Sequence, residues 1–505
     1  MSLDTKADAY AVHWFRRDLR VAGNPALSRL RDEHQGRVLG VFCFDKAFLA
    51  RPDFSLARFQ FFIDTLKSLK NELTALGSDL MFCDIGPDEA FNTLFRELKG
   101  AGKPLPESIA WNRDYEPYAI DRDQRLQKWF HEQGVHTMSE RDHILIEPHE
   151  IVKGTKPAGP YQIFTPYSRK WLEQFQTSAV QARIDEQKRG LAYVRKLRKG
   201  PVEPSFALTW AKIFGREANG WSVFEEYSAQ NLKNVTIPIP PAGSLAALAQ
   251  LETFKKHIDD FADARDIPSL EGTSRFSPFF KNGSLTTGQA LAFFDLHRKE
   301  KLTKGEAKFL TELIWREFGY YILSKHPRVE REAFDERFRS LEWGNREDWF
   351  EAWKTGKTGY PIIDAGMRQL NETGWMHNRV RMIVASFLTK DLHINWQWGE
   401  KYFMEKLIDG DLALNNMGWQ WAASTGCDAQ PYFRIFNPAL QSKKFDPEAK
   451  YIKQFVPELA QVAPKKIHLL DAQSRPRGYP APIVDHDVER HVALKLYKVK
   501  AKREE

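Results

Sequence analysis

Residues 10–44 read YAVHWFRRDLRVAGNPALSRLRDEHQGRVLGVFCF: an apolar run, a polar stretch and a second apolar run. The two ends, YAVHWFR (10–16) and RVLGVFCF (37–44), have strand length and are apolar throughout. Continuous apolar runs of that length suit strands covered on both faces, as in a parallel sheet. The unit recurs further along. SDLMFCD (78–84) and ESIAWN (107–112) are strand candidates, and helical spacing occupies about 56–76, 87–101 and 118–133. This alternation predicts a doubly wound parallel α/β sheet, with any ligand at the carboxyl ends of its strands. No G-x-G-x-x-G follows the first run, so the ordinary dinucleotide grip is missing.

From about 140 to 205 periodicity fades into EPHEIVKGTKPAGPYQIFTPYSRKW and the basic YVRKLRKGPVEP, the composition of a long surface connection. Beyond about 207 nearly every segment has helical spacing (245–264, 286–299, 305–325, 347–353, 361–372, 376–390, 399–408), which predicts an all-α second domain. The partition expected is an α/β domain at 1–140, a connection at 141–206, a helical domain at 207–490 and a basic tail at 491–505. With 505 residues, 42% of them hydrophobic, the chain can bury large cores, and no apolar window has the length of a membrane span. The first residues lack the signal-peptide pattern, and three scattered Cys give neither a disulfide framework nor metal-ligand spacing. The expectation is a reduced, cytoplasmic protein that holds no metal. A net charge of +7 permits a polyanionic partner without requiring one.

Residues 374–438 read GWMHNRVRMIVASFLTKDLHINWQWGEKYFMEKLIDGDLALNNMGWQWAASTGCDAQPYFRIFNP. Eight of the fifteen Trp lie between Trp343 and Trp421, which by itself describes a core of large side chains. Polar residues interrupt these apolar helices: Arg379, Arg381, Asp409, Asp411, Asn415 and Asn416. Such groups must be satisfied, and a bound polar cofactor is one way. TSRFS (273–277) places hydroxyls at Thr273, Ser274 and Ser277, as an N-cap pair or as an anion site.

Taken together, these segments resemble the photolyase/cryptochrome family. VHWFRRDLRVAGNPAL (12–27) is similar to the family's first strand and turn. EGTSRFSPFF (271–280), ELIWREFGYYIL (312–323), GKTGYPIIDAGMRQL (356–370), GWMHNRVRM (374–382), DGDLALNNMGWQWAASTG (409–426) and RIFNP (434–438) are similar to its helical-domain motifs, in order. The resemblance covers essentially the whole chain and looks closest to the microbial class I cyclobutane pyrimidine dimer photolyases. It implies an α/β antenna domain, an all-α FAD-binding domain, and light-driven repair of ultraviolet-damaged DNA.

The resemblance also implies roles. Thr273, Ser274, Arg275, Phe276 and Ser277 match the segment holding the FAD pyrophosphate. Phe261 stands where many members have a phosphate-contacting Tyr, so that hydroxyl is missing. Asp409, Gly410 and Asp411 lie against the flavin, one carboxylate pairing with Arg381, and Asn415 faces its reactive ring nitrogen. Many plant cryptochromes carry Asp at that last position, so Asn weighs toward repair. Glu312, Trp315, Asn378, Met382 and Trp421 match the dimer pocket. Six-four photoproduct enzymes carry His at the positions of Asn378 and Met382, and neither His is present. Trp419, Trp396 and Trp343 match the electron-transfer chain, Trp343 in a polar setting suited to its exposed end. Arg265, Arg379, Arg434, Gln441, Lys443 and Lys444 are assigned to phosphates flanking the lesion, the three Arg by the resemblance and the two Lys by charge. WNRDYEPYAIDRD (111–123) resembles the border of an antenna site, nearer the deazaflavin type than the methenyltetrahydrofolate type. The reading is a cyclobutane-dimer photolyase, a lyase with FAD and a second antenna chromophore, acting on damaged DNA as a cytoplasmic, nucleoid-associated monomer. The alternatives are a blue-light receptor, against which the short tail counts, and an enzyme for six-four products or single strands.

Overall fold

The computed structural model describes residues 9–153, 159–216 and 220–501. Five parallel strands form one sheet: β1 (Ala11–Phe15), β2 (Val38–Cys43), β3 (Leu80–Cys83), β4 (Ser108–Asn112) and β5 (His136–Glu140). Their order is β3-β2-β1-β4-β5, so the connections wind both ways from a switch point between β1 and β4. β1 and β4 are buried along their whole length, and successive residues feed opposite faces. Phe15 joins Leu27, Phe42 and Leu66 in one apolar cluster, while Trp14 joins Val41, Phe91 and Phe130 in another. The helices between strands start on recognisable chemistry. Asn24 caps Pro25–Glu33, Ser55 caps Leu56–Ala75, and Pro87–Gly100 and Pro117–Glu132 open on proline.

Two parts of this unit depart from the sequence reading. β5 (HTMSE) is partly exposed and polar, so no apolar run announces it; it pairs with β4 at the sheet edge. The stretch expected as a loose connection instead contains two helices, Phe164–Phe175 and Ser178–Lys199. The second is gripped through polar and small residues rather than an apolar stripe. Gln187 donates to the Gly23 carbonyl at 2.8 Å, and a Cβ on Gly190 would lie 2.7 Å from the Gly23 nitrogen. Close backbone approach replaces the periodic pattern that a sequence can display.

The chain divides into two compact units, each assembled from separate segments. The first takes residues up to Ile151 with Lys170–Lys255 and Arg275–Glu300; the second takes Val152–Arg169, Lys256–Ser274 and the chain from Lys301 onward. Helices after residue 207, expected in the helical domain, therefore pack on the sheet's unit. Trp210 and Ile213 join the Trp14 cluster, and Trp221 and Phe224 join the Phe15 cluster.

In the second unit the helix Lys304–Lys325 starts from a capping box made by Thr303 and Glu306. Leu412–Ala423 packs against it and against Asn378–Lys390 and Trp396–Lys406. A large apolar cluster holds these helices with Pro361–Thr373, through residues such as Ile363, Val384, Phe403 and Trp419. Among the described residues no helix is long and apolar enough to cross a membrane.

Candidate functional site

The DGD turn follows the Trp396–Lys406 helix and leads into Leu412–Ala423. Asp409 is buried and accepts from Arg381 Nη2 on both oxygens, at 2.9 and 3.1 Å. Arg381 Nε donates to the Met376 carbonyl at 2.8 Å, so the guanidinium is fixed at both ends. Asp411 is the N-cap of Leu412–Ala423, accepting from the Leu414 amide at 3.2 Å, and the buried Tyr320 hydroxyl donates to it. Asn415 donates to the Glu400 carbonyl at 2.9 Å, which orients its amide. Asn416 donates to the Val329 carbonyl and to Glu400 Oε1, both at 2.9 Å, and accepts from Gln420 at 3.1 Å. Its polar group is thus absorbed by scaffold. The sequence reading missed Tyr320 and Glu400. For Tyr320 a signal existed: Glu312, Arg316 and Tyr320 recur every four residues on one helical face, and the Arg316 guanidinium lies 5.1 Å from the Tyr320 ring.

On the same helix, Trp315 is half-buried and lies flat against Phe164, with ring centroids 3.6 Å apart and planes 4° from parallel. Phe164 was also missed. Its amide donates to Asp428 at 2.9 Å, and the Cys427 thiol donates to the Gln162 carbonyl at 2.8 Å, so the segment carrying the ring is tied to the loop after Trp421. Asn378 is exposed at the first turn of its helix, Met382 is half-buried one turn on, and Trp421 is half-buried with its edge toward Phe436.

Two residues expected on DNA are occupied otherwise. Arg265 is ion-paired with Glu312, which also takes Lys308 at 3.0 Å. Arg379 pairs with Asp266 at 2.9 Å and lies over the Phe445 ring at 4.5 Å. Both cations sit beside acids because the short helix Phe261–Ala264, packed on Lys304–Lys325, carries Arg265 and Asp266 at its end. Arg434, Lys443 and Lys444 are exposed, Gln441 is half-buried, and the apolar side chains of Phe433 and Leu440 stand exposed among them.

Trp419 is buried with Phe403 and Trp353 edge-on at 4.9 and 6.0 Å. Gly399 makes room for it: a Cβ there would meet the indole at 2.1 Å. Trp396 is buried in the same cluster. Trp343, expected as the exposed end, is half-buried because the helix His486–Ala501 brings Tyr497 edge-on to it at 6.4 Å. Phe261 is buried against Phe309, with the Arg265 guanidinium 5.5 Å from its ring. In TSRFS, Thr273, Ser274, Arg275 and Ser277 are half-buried and Arg275 takes a left-handed φ of 55°. Phe276, not a hydroxyl residue, is the N-cap of Ser277–Asn282. Neither serine therefore occupies the N-cap position itself.

The chain matches the family described as DNA photolyase over residues 11–186 and the FAD binding domain of DNA photolyase over residues 309–499. The deoxyribodipyrimidine photo-lyase of Vibrio cholerae serotype O1 is 38% identical over 498 residues, covering 96% of this chain and 98% of the relative. This chain belongs to the DNA photolyase family. The Escherichia coli deoxyribodipyrimidine photo-lyase is 34% identical over 496 residues, covering 97% of this photolyase chain and 98% of that one. Among solved structures, the fold is similar to a bacterial class III photolyase from Agrobacterium tumefaciens, with a TM-score of 0.79, 32% identity and 98% of both chains covered. An archaeal photolyase from Sulfolobus tokodaii, solved with two FAD molecules, gives a TM-score of 0.76 at 32% identity, covering 97% of this chain and 99% of that one.

As in other DNA photolyases, the helical unit is the FAD-binding domain. Its donor set fits such a group. Arg381 and Asp409 form a fixed cation–anion pair with Arg381 partly open to solvent, and Tyr320 orients Asp411.

Proposed function

We propose that this chain is a deoxyribodipyrimidine photo-lyase that splits cyclobutane pyrimidine dimers in DNA under light. One observation carries the lesion class. Asn378 and Met382 occupy one helical face one turn apart, exposed and half-buried, where a His pair would suit six-four chemistry. When bound, FAD supplies the light absorption and the electron that such a reaction needs. Everything else falls to the chain's own residues. Asp409, Arg381, Asp411 and Asn415 hold and orient the cofactor, with Thr273, Ser274, Arg275, Phe276, Ser277 and the buried Phe261 at its phosphate end. Trp315 and Trp421 offer flat faces to a saturated, nonplanar dimer. Glu312 hydrogen-bonds the pyrimidine edge, with Arg265 holding its carboxylate in place. Trp419, Trp396 and Trp343 carry an electron from the surface toward the cofactor.

Arg434, Gln441, Lys443 and Lys444 contact the phosphates flanking the lesion, and Arg379 does so from its pair with Asp266. A dimer stacks poorly, so extruding it into the pocket costs less than extruding an intact base pair. The α/β unit carries a second chromophore near residues 111–123. There Arg122, paired with Asp123, packs over the buried Trp14 ring at 4.9 Å, and Tyr118 is 52% exposed, an aromatic face suited to stacking a planar ring. The protein acts on DNA as a monomer in the cytoplasm.

The deciding experiment illuminates the chemically reduced holoenzyme anaerobically with ultraviolet-irradiated oligothymidine and follows thymine absorbance. Light-dependent recovery, absent in the dark, is expected. Binding without recovery would sink the lesion assignment in favour of six-four products. Neither binding nor recovery would favour a receptor.

A further inference from the structure

Cys43 and Cys83 end β2 and β3 and are direct register partners in the parallel ladder. Register partners on neighbouring strands point to the same face, and strands run about 4.7–4.9 Å apart. That lies inside the Cα separation of about 4.4–6.8 Å that a disulfide spans. Both side chains are half-buried against the one apolar cluster that contains Trp14 and Met81. The strand ends are already pinned. The Phe44 amide donates to the Cys83 carbonyl at 2.8 Å, and Lys46 pairs with Asp84 at 2.5 Å between the following loops. The remaining cysteine, Cys427, is buried in the other unit and donates to the Gln162 carbonyl.

We propose that Cys43 and Cys83 are a modification site: a dithiol that hydrogen peroxide converts to a reversible cross-strand disulfide. The Cys83 thiolate attacks the peroxide, breaking the O–O bond; it becomes a sulfenic acid and releases hydroxide, which takes a proton to become water. Cys43 then loses its proton and attacks the Cys83 sulfur, forming the S–S bond and displacing a second water. Two thiols are oxidised by two electrons and one peroxide is reduced to two waters. Burial, with Cys83 beside it, holds the Cys43 thiol well above its ordinary range, so the second step is slow at neutral pH and speeds up as pH rises. Because both strands are fixed by the sheet on either side of the pair, closing and opening the bond leaves the ladder in place, and a dithiol reductant reverses it.

The test uses full-length holoenzyme reduced with dithiothreitol, desalted and treated with hydrogen peroxide. Free thiols are then alkylated under denaturing conditions, and intact mass and peptide maps are read. Alkylated thiols should fall from three to one, with one linked peptide pair containing Cys43 and Cys83, and dithiothreitol should restore all three. Cys427→Ser should give the same linked pair, and Cys83→Ser should abolish it. Three surviving thiols, a linked peptide containing Cys427, or a bond between two chains would overturn the proposal.

Discussion

The sheet's carboxyl edge and the DGD pocket both place arginine beside aspartate, yet they treat the pair differently. At the sheet, Arg20 and Asp142 are ion-paired with side chains 0% and 1% exposed, and Arg20 also donates to the Ala22, Gly23 and Gly283 carbonyls. Asp18 nearby accepts from Asn24, Asn112 and the Arg16 amide, and its carboxyl is held far below the ordinary range. Burial opposes that shift, and the hydrogen bond and charge of His13 outweigh it. The network is closed. In the helical unit Asp409 is 2% exposed, but Arg381 remains 25% exposed and its neighbours Met382 and Asn378 face outward. A closed ionic network fixes architecture; a pair open on one side is positioned to receive something.

That contrast can be broken by removing one carboxylate from each. Asp142→Ala strands a fully buried guanidinium and should cost about 3–5 kcal/mol by denaturant unfolding, while folded protein keeps its FAD. Asp409→Ala leaves Arg381 able to reach water and should cost less stability, yet purify with FAD largely lost. Equal FAD retention in the two variants would erase the distinction.

Next in size is Glu72, whose carboxyl burial pushes up to about 7, above its ordinary 4.5. The folded chain holds this proton where the unfolded chain has released it. Stability is therefore fully present in acid and falls as pH rises through that window, by at most about 3 kcal/mol. Glu72→Gln should flatten the profile between those values, measured by urea midpoints. Smaller still, Phe164→Leu keeps an apolar filler under Trp315 but loses the flat face. Affinity for a dimer-containing oligonucleotide should drop about fivefold with FAD retained, and Phe164→Tyr should restore it. The smallest effect is expected from the double change Lys443→Gln, Lys444→Gln. It should reduce the salt slope of DNA binding by roughly one to two phosphate contacts, with lesion preference unchanged.

These regions were unequally legible in the sequence. β1 to β4 were readable because burial on both faces forces apolar runs. β5 was not, because an edge strand can be as polar as HTMSE. The helix Ser178–Lys199 hid because Gly190 and Gln187, rather than an apolar stripe, dock it. In the site, the Arg381–Asp409 pair was foreseen through the family resemblance and lies at hydrogen-bond distance. Phe164 and Glu400 were invisible because their partners are distant in sequence and no spacing rule joins them. Arg265 was read as a free cation because charge in a sequence does not reveal that Glu312 neutralises it.

The interleaving of the two units has a consequence for biosynthesis. Neither is a continuous piece, since the sheet's unit needs the segment Arg275–Glu300 and the helical unit needs Val152–Arg169. A ribosome adding roughly 5–20 residues per second does not complete the last segment of the sheet's unit until ~15–60 s after initiation. Until then the helix Ser178–Lys199 lacks Thr287–Phe293, which packs on it, and the buried Arg20 guanidinium lacks the Gly283 carbonyl. The N-terminal region should therefore depend on holding chaperones during synthesis, and cutting the gene at either apparent domain boundary should yield aggregates rather than halves.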